Sequence, residues 1–198
     1  MKDVLLGAGL LPEQMLDGLD GFSQKIAELA DEIGLCVEDF TPDHIALRIN
    51  DKVVAQAAHR AWASYGDEIS SAMINGRPII VICFDKPPVM FGKEVECLEL
   101  PYPAEGKSYP QEGWEHVEFI IPSQATTADE YLNDLKERFP QLAENWSQLS
   151  GKGIKTKLSS PKGEGERLAN PTVAFKKGGV CIKLHPWSLK QVVESERE

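Results

Sequence analysis

One short pattern occurs twice in this chain and limits the folds open to it: an acidic residue, a histidine and a β-branched residue opening an alternating stretch. Asp43-His44-Ile45 opens the first copy and Glu115-His116-Val117 the second. Each is followed by the same order of segments, a strand, a helix and three further strands. The closing strands match too, Cys97-Leu98-Glu99-Leu100 against Cys181-Ile182-Lys183-Leu184. Repeated element order with residue matches at both ends marks an internal repeat. The histidines lie 72 residues apart and Glu99 and Lys183 lie 84 apart, so the second copy carries about 12 additional residues, which the Gly- and Lys-rich stretch 150–169 can hold. The expectation is an α+β fold: two tandem βαβββ modules, about four strands from each, forming a curved mixed sheet around one cavity, with N-terminal helices and helices outside.

Five segments follow from the punctuation of the sequence. Residues 1–40 read as helical, with Phe22, Ile26, Leu29, Ala30 and Ile33 at helix spacing and Gly34 as the stop. The first 21 residues have acidic groups around their leucines and no small-residue cleavage site, so they read as an amphipathic helix rather than a signal peptide. The first module covers 41–100. Thr41-Pro42-Asp43 reads as a breaker before it, Asp51 as a helix cap and Asn75-Gly76 as a hairpin turn. Residues 101–113, rich in Pro, Gly and Tyr, read as a linker. The second module covers 114–187, and 188–198 form a short helical tail.

Strand side chains alternate between faces, so sequence parity says which residues share a surface. His44 and Arg48 share a face of the first strand, and His116 and Glu118 share a face of its counterpart. Glu99, Lys183 and His185 take the matching face of the fourth strands. The other faces are apolar and need helices over them. The polar set has two readings: the wet face of an antiparallel sheet, or the lining of a cavity in which imidazoles and carboxylates hold a divalent ion such as Zn, Fe(II), Mn, Co or Ni. His59, beside Arg60 on a helix, reads as solvated surface. Trp114 and Trp187 read as core or cavity wall, and Cys97 and Cys181 as buried thiols. Ser159-Ser160-Pro161-Lys162-Gly163-Glu164-Gly165 lacks phosphate-loop spacing and reads as a hairpin loop over the cavity.

Charge and cysteine usage narrow the partners. Asp and Glu number 31 against 21 Lys and Arg, for a net charge of -10, which repels phosphate backbones and anionic membranes. No apolar run approaches the roughly 18 residues of a membrane span. Four scattered cysteines with no CxxC pair fit a reducing compartment, so the expected location is cytoplasmic.

Several stretches together resemble the YecM family, a group placed by fold with the vicinal oxygen chelate superfamily of glyoxalase- and dioxygenase-like proteins. They are Asp43-His44-Ile45-Ala46-Leu47-Arg48, Met73-Ile74-Asn75-Gly76-Arg77-Pro78-Ile79, Glu99-Leu100-Pro101-Tyr102-Pro103, Tyr109-Pro110-Gln111-Glu112-Gly113-Trp114-Glu115-His116, Ser159-Ser160-Pro161-Lys162-Gly163-Glu164 with Glu166-Arg167-Leu168, and Lys183-Leu184-His185-Pro186-Trp187-Ser188. The resemblance implies a paired βαβββ fold with metal ligands on the first and fourth strands of each module. By position these are His44, Glu99 and His116, with Lys183 in the fourth place. That lysine departs from the superfamily pattern, because an ammonium group has no lone pair to give a metal. Glu118 and His185 are the substitutes at hand. The expected function is a divalent-metal-dependent enzyme of isomerase, lyase or dioxygenase type acting on a small anionic molecule. Glu118 would be its general base, and Arg48, Lys183 and His185 its substrate contacts. The alternative is a non-catalytic small-molecule or metal-binding protein of the same fold.

Overall fold

The computed structural model describes residues 2–160 and 168–195. The N-terminal segment is three helices, α1 (Lys2–Ala8), α2 (Pro12–Asp17) and α3 (Leu19–Ile33), so the opening 21 residues do not form one amphipathic helix. Gly9 takes a left-handed φ of 71°, and Pro12, which has no N–H to donate, starts the next helix. α3 ends as its sequence requires, with Gly34 at φ 90° donating its N–H to the Ala30 carbonyl.

The first module runs β1 (Thr41–Arg48), α4 (Lys52–Trp62), β2 (Gly66–Ser70), β3 (Met73–Ile74), β4 (Arg77–Phe84), β5 (Val89–Met90), β6 (Lys93–Glu94) and β7 (Cys97–Pro101). The Asp51 carboxylate accepts the N–H groups of Val53 and Val54 and so caps α4. Asn75 and Gly76 both have positive φ, 53° and 78°, which is the geometry of a tight hairpin turn between β3 and β4. The small β5–β6 ribbon has no counterpart in the sequence reading. The second module runs β8 (Gly113–Ile120), α5 (Ala128–Arg138), α6 (Pro140–Asn145), β9 (Lys155–Ser159), β10 (Thr172–Lys177) and β11 (Val180–His185), and α7 (Leu189–Glu194) follows it. Helix α6 takes up part of the extra length of this module, ahead of the stretch 150–169 to which the sequence assigned it.

Both modules have the same internal strand order, the fourth strand beside the first and parallel to it: β1-β7-β4-β2 and β8-β11-β10-β9. The strands of the two modules join in one curved mixed sheet, as expected. β1 and β8 each have one edge taken by their own fourth strand, and they pair antiparallel through the other edges. Two exposed edges are removed by that step, and a nine-stranded, curved, unclosed mixed sheet results. β1 also starts earlier than expected: Thr41 and Pro42 pair with Ile120 and Phe119 instead of breaking the chain.

The register explains why the core forms on one face only. A row of apolar residues crosses the sheet in the order Ile82, Leu98, Ile45, Val117, Ile182 and Phe175, and all six are fully buried. Helices α3 and α5 pack against this side of the sheet. Burying a side chain of this kind stabilises by about 1.5–3 kcal/mol. Trp114 also belongs to the core, with its ring 6.2 Å from Phe22 and 6.0 Å from Trp62, and its indole N–H donates to the Met15 carbonyl. His59 is less exposed than its helical position suggested: its ring lies between the Tyr102 hydroxyl and the Glu68 carboxylate. The hairpin loop expected over the cavity falls on 161–165, outside the described residues. Among the described residues no helix is long and apolar enough to cross a membrane.

Candidate metal centre

Two further rows cross the opposite face of the sheet, one on each side of the apolar row. The first reads Cys83, Cys97, His44, Glu118 and Lys183. The second reads Val81, Glu99, Ala46, His116 and Cys181. Exchanging the two modules carries one row onto the other: His44 onto His116, Cys97 onto Cys181, Lys183 onto Glu99 and Glu118 onto Ala46. Residues far apart in the chain are thereby adjacent. The two imidazole rings lie 6.1 Å apart, with Glu99 and Glu118 between their facing edges.

The acidic residue before each histidine has a structural reason. Register shifts in the β1–β8 pairing fall at Asp43, between the pairs Pro42–Phe119 and His44–Glu118, and at Glu115, between Ala46–His116 and Leu47–Trp114. Each is an extra residue in its strand, and such a bulge re-aims the side chain that strict alternation would send to the other face. The Asp43 carboxylate thus meets His44 Nδ1 at 3.0 Å, and the Glu115 carboxylate meets His116 Nδ1. Both rings are held by Nδ1 and present Nε2 to one space, the arrangement by which carboxylates orient metal-binding histidines.

The donor spacing suits a small ion. His44 Nε2 lies 3.6 Å from Glu99 Oε2 and 3.3 Å from Glu118 Oε1. His116 Nε2 lies 3.8 Å from Glu99 Oε1 and 3.2 Å from Glu118 Oε1. For metal bonds of about 2.0–2.2 Å, tetrahedral donors would be about 3.3–3.6 Å apart. One donor atom from each of these four residues falls within a 4.8 Å span, and His44 Nε2 is buried with no hydrogen-bond partner. An unsatisfied buried nitrogen facing two carboxylates is the feature that a bound cation would resolve. The donor set therefore fits a first-row divalent ion.

The surrounding charges are tightly balanced. Burial would push the Glu99 carboxyl up, but the nearby His44 imidazole and the positive charges of Lys183 and His116 outweigh it and bring it down to about 2. Asp43, Glu115 and Glu118 are likewise held well below the usual carboxylate range despite burial, Asp43 by His185 and His44, Glu115 chiefly by His116 and Arg48, and Glu118 chiefly by Lys183 and His44. Burial favours neutral His44, yet the Glu118 charge and the Asp43 hydrogen bond keep it protonated well above the ordinary 6.5. Lys183 donates to Glu118 Oε1 at 2.8 Å and stands 3.1 Å from His116 Nε2, and the charges of Glu118 and Glu99 outweigh burial and raise its pKa.

The family follows from the whole chain. Residues 12–196 match the family model described as YecM protein. The chain belongs to the YecM family. It is 38% identical to Protein YecM of Escherichia coli (strain K12) over 185 residues, 93% of this chain and 94% of that one. A Haemophilus influenzae protein is 34% identical over 176 residues, 86% of this chain and 87% of that one. Among solved structures, one described as Structural Genomics, Protein EC4020 superposes with a TM-score of 0.77 at 34% identity, covering 93% of this chain and 92% of its own.

In this YecM-family chain the remaining expected site residues lie around the cluster. Arg48 is bound to Glu115 at 3.2 Å and stacks on the Tyr109 ring, so it stands behind His116. His185 is buried, with Nε2 3.3 Å from Asp43 Oδ2 and Nδ1 accepting from the Asn170 amide. Asn170 is fixed in that orientation because it also accepts the Trp187 N–H and donates to the Trp187 carbonyl. The Leu189 N–H at the start of α7 donates to Asp43, so the C-terminal segment closes one end of the site. Lys183, with 27% of its side chain exposed, and Glu99, with 14%, are more exposed than the histidines and Glu118. A surface cleft of about 730 Å³ lies elsewhere, lined by Asn50, Arg77, Tyr102 and their neighbours. Asp43, Glu115 and Asn170 were absent from the candidate residues named from sequence. The doubled acidic-histidine pair was the available signal for the first two, and nothing in the sequence marked Asn170.

Proposed function

We propose that the chain binds a divalent metal ion through His44, Glu99, His116 and Glu118 and uses it on a small anionic molecule entering past Lys183. The observation that supports this most is the orphaned His44 Nε2, buried opposite two carboxylates and a second oriented imidazole. Asp43 and Glu115 hold the rings so that both Nε2 atoms face inward. A divalent ion there would act as a Lewis acid on a carbonyl or enediolate oxygen, chemistry open to isomerases, lyases and dioxygenases alike. Lys183, the most exposed member of the cluster, would hold a carboxylate or phosphate by sharing the ammonium that now binds Glu118. Glu118 suits a ligand better than a general base, since a carboxyl held so far below its ordinary range accepts a proton weakly.

Lys183 also favours a second reading. Its ammonium already neutralises the carboxylates, as a metal would, so a non-catalytic binding protein of this fold is the alternative. Calorimetric titration with Zn, Mn, Co, Ni and anaerobic Fe(II) separates the two. The metal reading predicts binding at neutral pH that Glu99→Gln weakens by at least about tenfold with the fold intact. It also predicts that affinity keeps rising with pH beyond about 6.5, because His44 must give up a proton that its neighbours hold above that value. No binding to the wild type, or equal binding to Glu99→Gln, removes the metal. Affinity that levels off by about pH 6.5 removes His44 from the ligands.

A further inference from the structure

The first polar row continues past His44 to two thiols. Cys83 of β4 and Cys97 of β7 are directly opposite in the antiparallel register, and their sulfurs lie 2.7 Å apart. The neighbouring pair, Phe84 and Glu96, exchanges a backbone hydrogen bond, with the Phe84 N–H donating to the Glu96 carbonyl. Hydrogen-bonded and non-hydrogen-bonded pairs alternate along an antiparallel ladder, so Cys83 and Cys97 form a non-hydrogen-bonded pair. Such pairs bring Cα atoms to about 4.5 Å, inside the range that a disulfide spans. The two thiols therefore need no backbone movement to join. Cys83 is partly exposed and Cys97 is buried, so one sulfur can meet a solute while the other waits behind it.

We propose that Cys83 and Cys97 are an oxidisable dithiol that closes reversibly into a cross-strand disulfide when a peroxide reaches Cys83. The Cys83 thiolate attacks one peroxide oxygen. An S–O bond forms, the O–O bond breaks, and the departing hydroxide takes up a proton as water. Cys97 sulfur then attacks Cys83 sulfur, an S–S bond replaces the S–O bond, and a second water leaves. The two sulfurs together give up two electrons to the peroxide, and the two thiol protons end in the waters. A dithiol of reduced glutathione strength or greater reverses the step by exchange. The new linkage would adjoin the metal-binding cluster, since Cys97 pairs in register with His44 and lies two residues before Glu99 on the same strand. The proposal itself does not rest on the metal reading.

The other cysteines supply controls. Cys36 is exposed and can join chains to one another, while Cys181 is buried. The full chain carrying Cys36→Ser is treated with hydrogen peroxide, blocked with an alkylating agent and digested with trypsin, whose cut after Lys93 places Cys83 and Cys97 on separate peptides. The expected result is a covalently joined peptide pair, a chain lighter by two hydrogens, and full recovery of both thiols with dithiothreitol. Cys97→Ser should lose the link and accumulate a Cys83 sulfenic acid that dimedone traps. Cys83→Ser, at the more exposed position, should lose both the link and the sulfenic acid. The proposal is overturned if peroxide leaves both thiols free, if it carries Cys83 to sulfinic acid without joining Cys97, or if the link persists in either variant.

Discussion

Replacing Lys183 with Glu should raise the affinity of the cluster for a divalent ion by about a hundredfold. The Lys183 ammonium is 2.8 Å from Glu118 Oε1 and 3.1 Å from His116 Nε2, so a positive charge already stands where an approaching cation must come. Two unit charges about 4 Å apart interact by roughly 4 kcal/mol at an effective dielectric of about 20. Recovering even part of that repulsion, near 3 kcal/mol, corresponds to about two powers of ten in affinity. The register adds a positional argument: Lys183 is the module-exchanged equivalent of Glu99, so Lys183→Glu should offer a carboxylate from the matching direction. The cost falls on the metal-free protein, where Glu118 would lose its cation and gain a like charge. Melting of Lys183→Glu should therefore occur below the wild type without metal and above it with saturating Zn, because an ion that binds only the folded state stabilises it by mass action. Competition against a chelating dye measures the affinity and calorimetry the melting. Equal affinity in the two proteins would place the ion away from Lys183. Binding by Lys183→Glu alone would mean that the wild-type lysine is a permanent counter-ion and that the natural protein works without metal.

The sequence disclosed the modules more fully than the site. Strand parity and the doubled motif sufficed to bring His44, His116, Glu99, Glu118 and Lys183 to one face, because side-chain alternation is a local property of any strand. Strict alternation would send Asp43 and Glu115 to the other face. Each sits at a bulge, and neither carries a glycine or other mark that would disclose it; the bulges exist only in the pairing of β1 with β8. That pairing was itself illegible, since which free edge meets which is decided by the whole fold. Arg48 shows the same limit. Its parity pointed inward, but its partner is Glu115, whose own position depends on the bulge. The break after α1 was readable at Gly9 and Pro12, although the leucine spacing across them suggested one helix.

Glu118 should be the residue whose loss costs the metal-free protein most. Its carboxylate lies 3.3 Å from His44 Nε2, 3.2 Å from His116 Nε2 and 2.8 Å from Lys183 Nζ, with only 9% of the side chain exposed. Removing one partner from a buried ionic cluster leaves the opposite charge uncompensated and costs about 3–5 kcal/mol. Glu118→Leu should therefore lower the melting temperature by about 10 °C for a chain of this size. Glu118→Gln, which retains hydrogen-bonding atoms and loses only the charge, should lower it less. The pH dependence carries the sign of the shift. Glu118 has a depressed folded pKa, so its stabilisation is complete above the ordinary carboxyl value of 4.5 and is lost as pH falls through the folded value. His44 is shifted the other way: its charged form stabilises the fold below the ordinary 6.5, and that contribution is lost as pH rises through its raised folded value. The gap between wild type and Glu118→Leu should thus be widest between about pH 4.5 and 6.5 and shrink on both sides. Calorimetric scans across that range measure it. A gap of only a degree or two, or one that does not change with pH, would show that the Glu118 charge is not what holds His44 and Lys183 in place.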